Sequence, residues 1–240
     1  WPDSKLVGPF AIYADFPLKE IEPTLGQFGQ LHRDIAQAVQ LPEIQGRVEI
    51  YLFNSEKQYK TFITERFPNA PYRRALYIKR KEPGSPGMVF AYRQKELDID
   101  LRHECTHALL HAGLPMVPIW LDEGLAEYFE VEPKERAYDN PHIKMTKFKA
   151  KFGMVEDLQK LEKLKDISEM GSAEYRNAWA WTHYMLHGDT KAHDELISYI
   201  DSIARGQMTT PLSNRFAQDL PDVNDRFVNH FQNWEKPELR

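Results

Sequence analysis

Two histidines one helical turn apart, the first followed directly by a glutamate, are the residues of this chain most suited to chemistry. They lie in His103-Glu104-Cys105-Thr106-His107, an H-E-x-x-H pattern. On a helix, residues four apart differ by about 40° around the axis and about 6 Å along it, so both imidazoles can bind one Zn²⁺ at about 2.0–2.1 Å. Glu104 is rotated by about 100° from His103, beside the ion, where it can take a proton from water. The pattern predicts a site for one zinc ion with a general base.

A zinc site that performs hydrolysis needs a third protein ligand and one open position. A helix is predicted at 119–130, and it carries Glu123 sixteen positions after His107. We expect the Glu123 carboxylate to be the third ligand. Glu127 lies one turn further along the same face, where it is suited to accept the second N–H of His103 and fix the tautomer of that ring.

Together these motifs resemble the gluzincin zinc metallopeptidases, in the branch called peptidase MA-like. H-E-C-T-H followed by W-L-D-E-G-L-A-E-Y is similar to the H-E-x-x-H…N-E-G-F-A-E-Y core of zinc aminopeptidases. The resemblance covers roughly residues 75–187. It implies that Glu123 is the third zinc ligand. It also implies that Glu127 is an acid that hydrogen-bonds a ligand side chain and does not itself bind the ion. It also implies a peptide or protein substrate and a zinc helix lying between a small sheet and a helical lobe.

A later segment, 172–186, is similar to the aminopeptidase segment whose leading tyrosine donates a hydrogen bond to the tetrahedral intermediate. The resemblance assigns that catalytic role to Tyr175. Either a phenol or a histidine opposite the metal would stabilise an oxyanion. His183, two helical turns further along, is therefore the alternative oxyanion stabiliser.

One departure from the aminopeptidases concerns the strand before the zinc helix. Those enzymes carry G-x-M-E-N there, and the glutamate of this motif binds the free amino terminus of the substrate. Residues 87–91 read G-M-V-F-A and lack the acid. The difference favours endopeptidase-like action. The strand predicted at 88–93 could pair with an extended peptide backbone, or it could be an inner strand of the sheet.

The elements that position these residues predict an α+β fold: a small mixed sheet with helices, followed by a mainly helical lobe. Hydrophobic periodicity predicts strands at 10–16, 48–53, 75–81 and 88–93, with a turn at 82–87. It predicts helices at 23–39, 55–67, 98–112, 119–130, 156–165, 173–187, 190–205 and 222–234. Gly124 and Ala126 would let the second motif helix approach the zinc helix closely. We expect an N-terminal lobe over 1–97 and a helical lobe over 98–240, joined in one catalytic unit.

Composition narrows the classes of function. The 36 acidic and 31 basic residues give a net charge of −5, which argues against a nucleic-acid partner. No stretch is long and apolar enough to predict a membrane span. The single cysteine, Cys105, excludes a disulfide framework and a cysteine-rich zinc finger, and its position predicts a buried packing thiol. Four lysines at 144, 147, 149 and 151 are interpreted as a solvated face. The start at Trp1, together with the habits of similar proteins, favours an extracytoplasmic location.

The sequence therefore predicts a zinc metallopeptidase in which Glu104 is the general base. Two alternatives come from other classes of protein. One is a non-catalytic zinc-bearing domain of the same fold that binds a peptide or protein. The other is a helical interaction module in which the histidines and glutamates are incidental. Glu104 counts against the first alternative, since a purely structural site does not need a base.

Overall fold

A computed structural model describes residues 1–44, 46–80, 87–155, 157–207 and 210–237. The strands are β1 (Asp3–Val7), β2 (Phe10–Ala14), β3 (Val48–Phe53), β4 (Ala75–Ile78) and β5 (Met88–Tyr92). The helices of the first half are α1 (Glu22–Gly26), α2 (Phe28–Val39), α3 (Glu56–Arg66) and α4 (Leu97–Gly113). Those of the second half are α5 (Ile119–Phe129), α6 (Ile143–Lys151), α7 (Leu158–Glu162), α8 (Ser172–His187), α9 (Thr190–Ala204), α10 (Leu212–Asp219) and α11 (Val223–Asn233). A mixed sheet followed by helices confirms the predicted α+β class. None of the helices in the described ranges has the length and apolar character needed to cross a membrane.

The contacts divide the chain into two compact units. One comprises residues 1–37 and 41–115, and the other comprises 38–40 and 116–240. The sequence predicted a boundary after residue 97, whereas the contacts place the division after Pro115. The reason is that α4 packs on β3, β4 and β5. The helix with the H-E-x-x-H pattern thus belongs to the same unit as the sheet.

The first unit is built on a five-stranded sheet in the order β1-β2-β3-β5-β4. The three inner strands run parallel, and both edge strands are antiparallel to their neighbours. Successive residues of a strand lie on opposite faces of the sheet, so they contact different helices. Phe53, Phe90 and Tyr92 pack with the α3 residues Tyr59 and Ile63 in one aromatic cluster. Tyr77 is on the opposite face, and its ring stacks over histidines of α4.

The first-unit predictions differ from the structure mainly at β1 and α1. Strand β1 was not predicted, because its residues D-S-K-L-V form a half-polar edge strand whose pairing with β2 is not visible in its own pattern. The helix predicted at 23–39 is two helices, α1 and α2, separated by Gln27. The turn predicted at 82–87 lies outside the described residues except for Gly87.

The second unit is helical, and its closest pair is α5 against α8. A Cβ at Gly124 would come within 2.6 Å of the Ala178 carbonyl oxygen and would also overlap the Thr182 hydroxyl. The expectation that Gly124 faces the zinc helix is therefore wrong, since the space it leaves is taken by α8. Helices α6 and α10 were not predicted, and α7 is shorter than the predicted helix at 156–165.

Candidate metal centre

Helix α4 carries both predicted histidine ligands on one side. Leu101, Cys105 and Leu109 form a fully buried stripe along the helix. His103 and His107 lie about 180° around the axis from that stripe. Their ring centroids are 4.9 Å apart, with the ring planes inclined by 76°. His107 is buried and His103 is half-buried. The spacing thus produces the neighbouring imidazoles that the pattern predicted.

The predicted carboxylate belongs to the same group of donors. One ligand atom from each of His103, His107 and Glu123 lies within 4.8 Å of the other two, so the three could hold a metal ion. Glu123 lies on α5 and is 5% exposed. Two imidazole nitrogens and one carboxylate oxygen are donors that suit Zn²⁺ and are found in hydrolytic zinc sites. The chemistry of the donor set therefore fits the predicted ion.

Glu104 is held by the sheet. Its Oε2 accepts a hydrogen bond of 2.7 Å from the backbone N–H of Tyr77 in β4, and the residue is 8% exposed. Among the described residues, Glu104 belongs to neither of the two groups that could bind a metal. A backbone N–H directed at one oxygen limits the rotation of the carboxylate. Glu104 is thus a carboxylate held by β4 on the same helix as the two histidines.

Tyr77 is a residue near these histidines that no pattern in the sequence indicated. Its ring is stacked over His107 at a centroid distance of 6.3 Å and over His111 at 5.5 Å. A side chain at Gly87 would overlap the Tyr77 ring, which explains the glycine there. The alternation of β4 placed Tyr77 opposite Leu76 and Ile78, but nothing in the sequence showed that α4 would cover that face. The tyrosine therefore contacts the His107 ring and holds the Glu104 carboxylate.

Glu127 has a partner that the sequence did not reveal. His142 donates from Nε2 to Glu127 Oε2 at 2.8 Å. Asn140 links the same segment, since its amide donates to the Glu127 carbonyl and its side-chain oxygen accepts the His142 N–H. Glu127 also belongs, with His103 and Glu130, to the second group that could hold a metal. Its predicted role as the acceptor for His103 stays a prediction.

Tyr175 lies in the first turn of α8 and is half-buried. A first-turn position at a helix N-terminus is favourable for developing negative charge. Its assignment as the hydrogen-bond donor to an oxyanion stays a prediction.

His183 does not suit the alternative role of oxyanion stabiliser. The residue is fully buried. Its Nε2 donates to the Ala137 carbonyl at 2.8 Å, so its Nδ1 is left as the acceptor for His230 Nε2 at 3.2 Å. Burial holds the pKa of His183 well below its ordinary value. A neutral ring with both nitrogens engaged inside the core has no hydrogen to offer a substrate.

Two further expectations concern residues near the motif. Cys105 is fully buried, and burial raises the pKa of its thiol well above the ordinary value. This confirms a packing thiol rather than a nucleophile. The strand at 88–92 is an inner strand, with β3 on one side and β4 on the other. Its two edges are therefore occupied, and it does not offer an edge to a peptide.

The comparisons with known proteins describe the matched segment without giving it an activity. A family model described as "Protein of unknown function (DUF1570)" matches residues 99–212. The match runs from α4 to the first residue of α10, so it includes the H-E-x-x-H pattern, Glu123 and Tyr175. No curated protein matches this chain.

Proposed function

We propose that the protein is a zinc-dependent peptidase, with endopeptidase-like action favoured. The observation that carries the proposal is the donor group of His103, His107 and Glu123, whose ligand atoms lie within 4.8 Å of one another. The position of Glu104 adds to it, because this acid lies next to a ligand in sequence and outside the donor groups of the described residues. These three donors would hold one Zn²⁺ and leave a coordination position open.

When bound at such a site, a zinc ion lowers the pKa of a water molecule to about 7 and polarises a carbonyl group. Glu104 would take the proton from that water as the water attacks the peptide carbonyl. Because Glu104 Oε2 accepts the Tyr77 N–H, we assign the uptake of the proton to Oε1. Glu104 would then deliver the proton to the leaving amine. Tyr175 would donate its phenolic hydrogen to the developing oxyanion.

The first test measures metal and activity in one preparation. We expect about one zinc per chain by elemental analysis, and cleavage of a mixed peptide library that stops when a chelator is added. Peptides blocked at both ends separate the two modes of cleavage, since only an endopeptidase cleaves them internally. Absence of stoichiometric zinc would contradict the proposed site.

The second test isolates the general base. Glu104→Gln keeps the shape of the side chain but cannot take up the proton, so we expect zinc to stay bound while turnover falls by about 10²–10⁴-fold. Glu65→Gln, on the exposed side of α3, is the matched control and should leave turnover unchanged. If the protein binds zinc, binds peptides and cleaves none of them, it is instead a zinc-bearing binding domain.

A further inference from the structure

A second surface of the molecule is built on α6, where the sequence suggested only a solvated row of lysines. Eight large hydrophobic side chains are exposed among the described residues, and four of them lie within ten positions here. They are Met145, Phe148, Phe152 and Met154, which are 49%, 54%, 65% and 51% exposed. Scattered exposed apolar residues are ordinary, but a cluster of this kind indicates a binding surface.

The helix positions show that this cluster points outward. Ile143, Thr146 and Ala150 form the buried face of α6. At 100° per residue, Phe148 and Phe152 are centred about 170° from that face, on the side away from the core. Their rings contact each other at a centroid distance of 5.2 Å. Phe148 in α6 and Phe152 directly after it thus lie away from the packed face of the helix.

Lysines border this apolar row on both sides. Lys144 and Lys151 lie on one flank of the phenylalanines, and Lys149 lies on the other. Residues 140–155 contain four lysines and no acidic residue, although the chain as a whole has a net charge of −5. We call Met145, Phe148, Phe152 and Met154, with these three lysines, the Phe-Lys face. An apolar row flanked by cations complements an anionic surface with an apolar layer beneath it.

The Phe-Lys face belongs to a firmly packed helix. Helix α6 packs on α8 and α11. The fourth lysine, Lys147, donates to the Trp234 carbonyl at 2.6 Å, and the Gln232 amide donates to the Ala150 carbonyl at 2.9 Å. The exposed rings are therefore presented on a fixed support.

We propose that the Phe-Lys face binds the surface of an anionic lipid bilayer, with the phenylalanines inserted at the headgroup level and the lysines contacting anionic headgroups. The exposed apolar area of this face favours a bilayer over a second copy of the chain. With about 200 Å² for a large side chain, half exposure of four residues offers about 400 Å². A stable protein–protein interface buries about 800 Å² on each partner. Shallow insertion needs less area, and the lysines add electrostatic attraction.

The test is sedimentation of the purified protein with two kinds of vesicle. One is phosphatidylcholine alone, and the other contains about 30% phosphatidylserine, which gives the negative surface potential that attracts lysines. We expect binding to the anionic vesicles only, and weaker binding as the salt concentration rises. Equal binding to both vesicles, or binding to neither, would overturn the proposal.

Two sets of variants assign the binding to this face. The pair Phe148→Ser and Phe152→Ser should reduce vesicle binding by at least about tenfold. The matched control is Leu6→Ser on β1, which removes a side chain that is 59% exposed. The triple replacement of Lys144, Lys149 and Lys151 by Gln should lower the affinity for anionic vesicles by about fivefold for each lysine. Its matched control replaces Lys57, Lys134 and Lys191, which are exposed elsewhere, and changes the net charge equally.

The outcomes separate a membrane from other partners. Unchanged binding in the Phe pair, or an equal loss in the lysine control, would refute the role of this face. Light scattering after size exclusion measures self-association of the same samples. If the wild-type chain dimerises, the Phe pair prevents it and vesicles are not bound, the face belongs to a second copy of the chain. Circular dichroism checks that each variant is folded.

Discussion

Two of the histidine pairs that are four residues apart, His103/His107 and His183/His187, lie in different surroundings. On α4, the ring centroids of His103 and His107 are 4.9 Å apart. On α8, those of His183 and His187 are 4.8 Å apart. The first pair shares a donor group with the carboxylate of Glu123. Among the described residues, the second pair belongs to no such group.

The second pair lies in an aromatic core. His183 contacts the rings of Trp179 and Phe231, and its nitrogens are used by a carbonyl and by His230. The Nε2 of His187 is hydrogen-bonded to the Tyr128 hydroxyl at 2.7 Å. Burial lowers the pKa of His187 to about 4. The same spacing thus occurs in a group of possible metal ligands and in a core pair, and the nearby Glu123 carboxylate distinguishes the first from the second.

The largest expected difference is in metal content. His107→Ala should lower zinc affinity by at least about 100-fold, because it removes one of three protein ligands. The corresponding change on α8, His187→Ala, should leave the zinc content unchanged. Elemental analysis after dialysis against a weak chelator measures both. Loss of zinc from the His187 variant would mean that the core pair is also a ligand pair.

A second prediction tests how α5 depends on its packing against α8. Gly124→Ala would place a methyl group against the Ala178 carbonyl and the Thr182 hydroxyl. Because the obstruction includes backbone, we expect the free energy of unfolding to fall by about 3 kcal/mol. Urea denaturation measures the change. The control is Gly26→Ala, since a Cβ there meets no atom within 4 Å. An unaffected Gly124 variant would mean that the two helices can separate without cost.

A third prediction concerns pH and the core histidines. Burial lowers the pKa of both His187 and His230 to about 4, against 6.5 for the ordinary side chain. Above pH 6.5 neither the folded nor the unfolded chain binds protons at these sites. The free energy of unfolding therefore has its full value there and does not change with pH through these two groups. As the pH falls from 6.5 towards 4, the unfolded chain binds protons that the folded chain excludes, and the free energy of unfolding decreases.

Urea denaturation of the metal-free protein between pH 7.5 and 4.5, with a chelator present, isolates this effect from metal release. The double variant of His187 and His230 to Gln should show a shallower decrease, because glutamine does not titrate. An equally steep decrease in the variant would place the acid sensitivity in other groups.

The smallest effect is expected within the H-E-x-x-H pattern itself. Cys105 lies on the buried stripe of α4, on the side opposite His103 and His107. Cys105→Ala should cost about 1 kcal/mol of stability and leave zinc content and turnover unchanged. The native thiol should resist alkylation until the protein is unfolded, because its pKa is raised. Rapid labelling of the native thiol would contradict its assignment as a packing residue.

Much of the fold followed from the sequence because hydrophobic periodicity is a local signal. Strand β3 has the predicted bounds, and α8 differs by one residue at its start. Strand β1 was missed because its pairing with β2, and not its own pattern, makes it a strand. Helix α6 was missed because exposed Met145 and Phe148 lie among its lysines, so its apolar residues do not repeat on one face.

The sequence by itself determined which residues share a face of one helix. The 3.6-residue repeat brings His103 and His107 together and turns Cys105 away, since it depends on nothing beyond α4. The tertiary structure decided what each side chain meets. Tyr77 holds Glu104, α8 fills the space at Gly124, and the rings of Phe231 and Trp234 pack against His183. These partners lie far away in sequence, and contacts between distant segments are set by packing, which local periodicity does not encode.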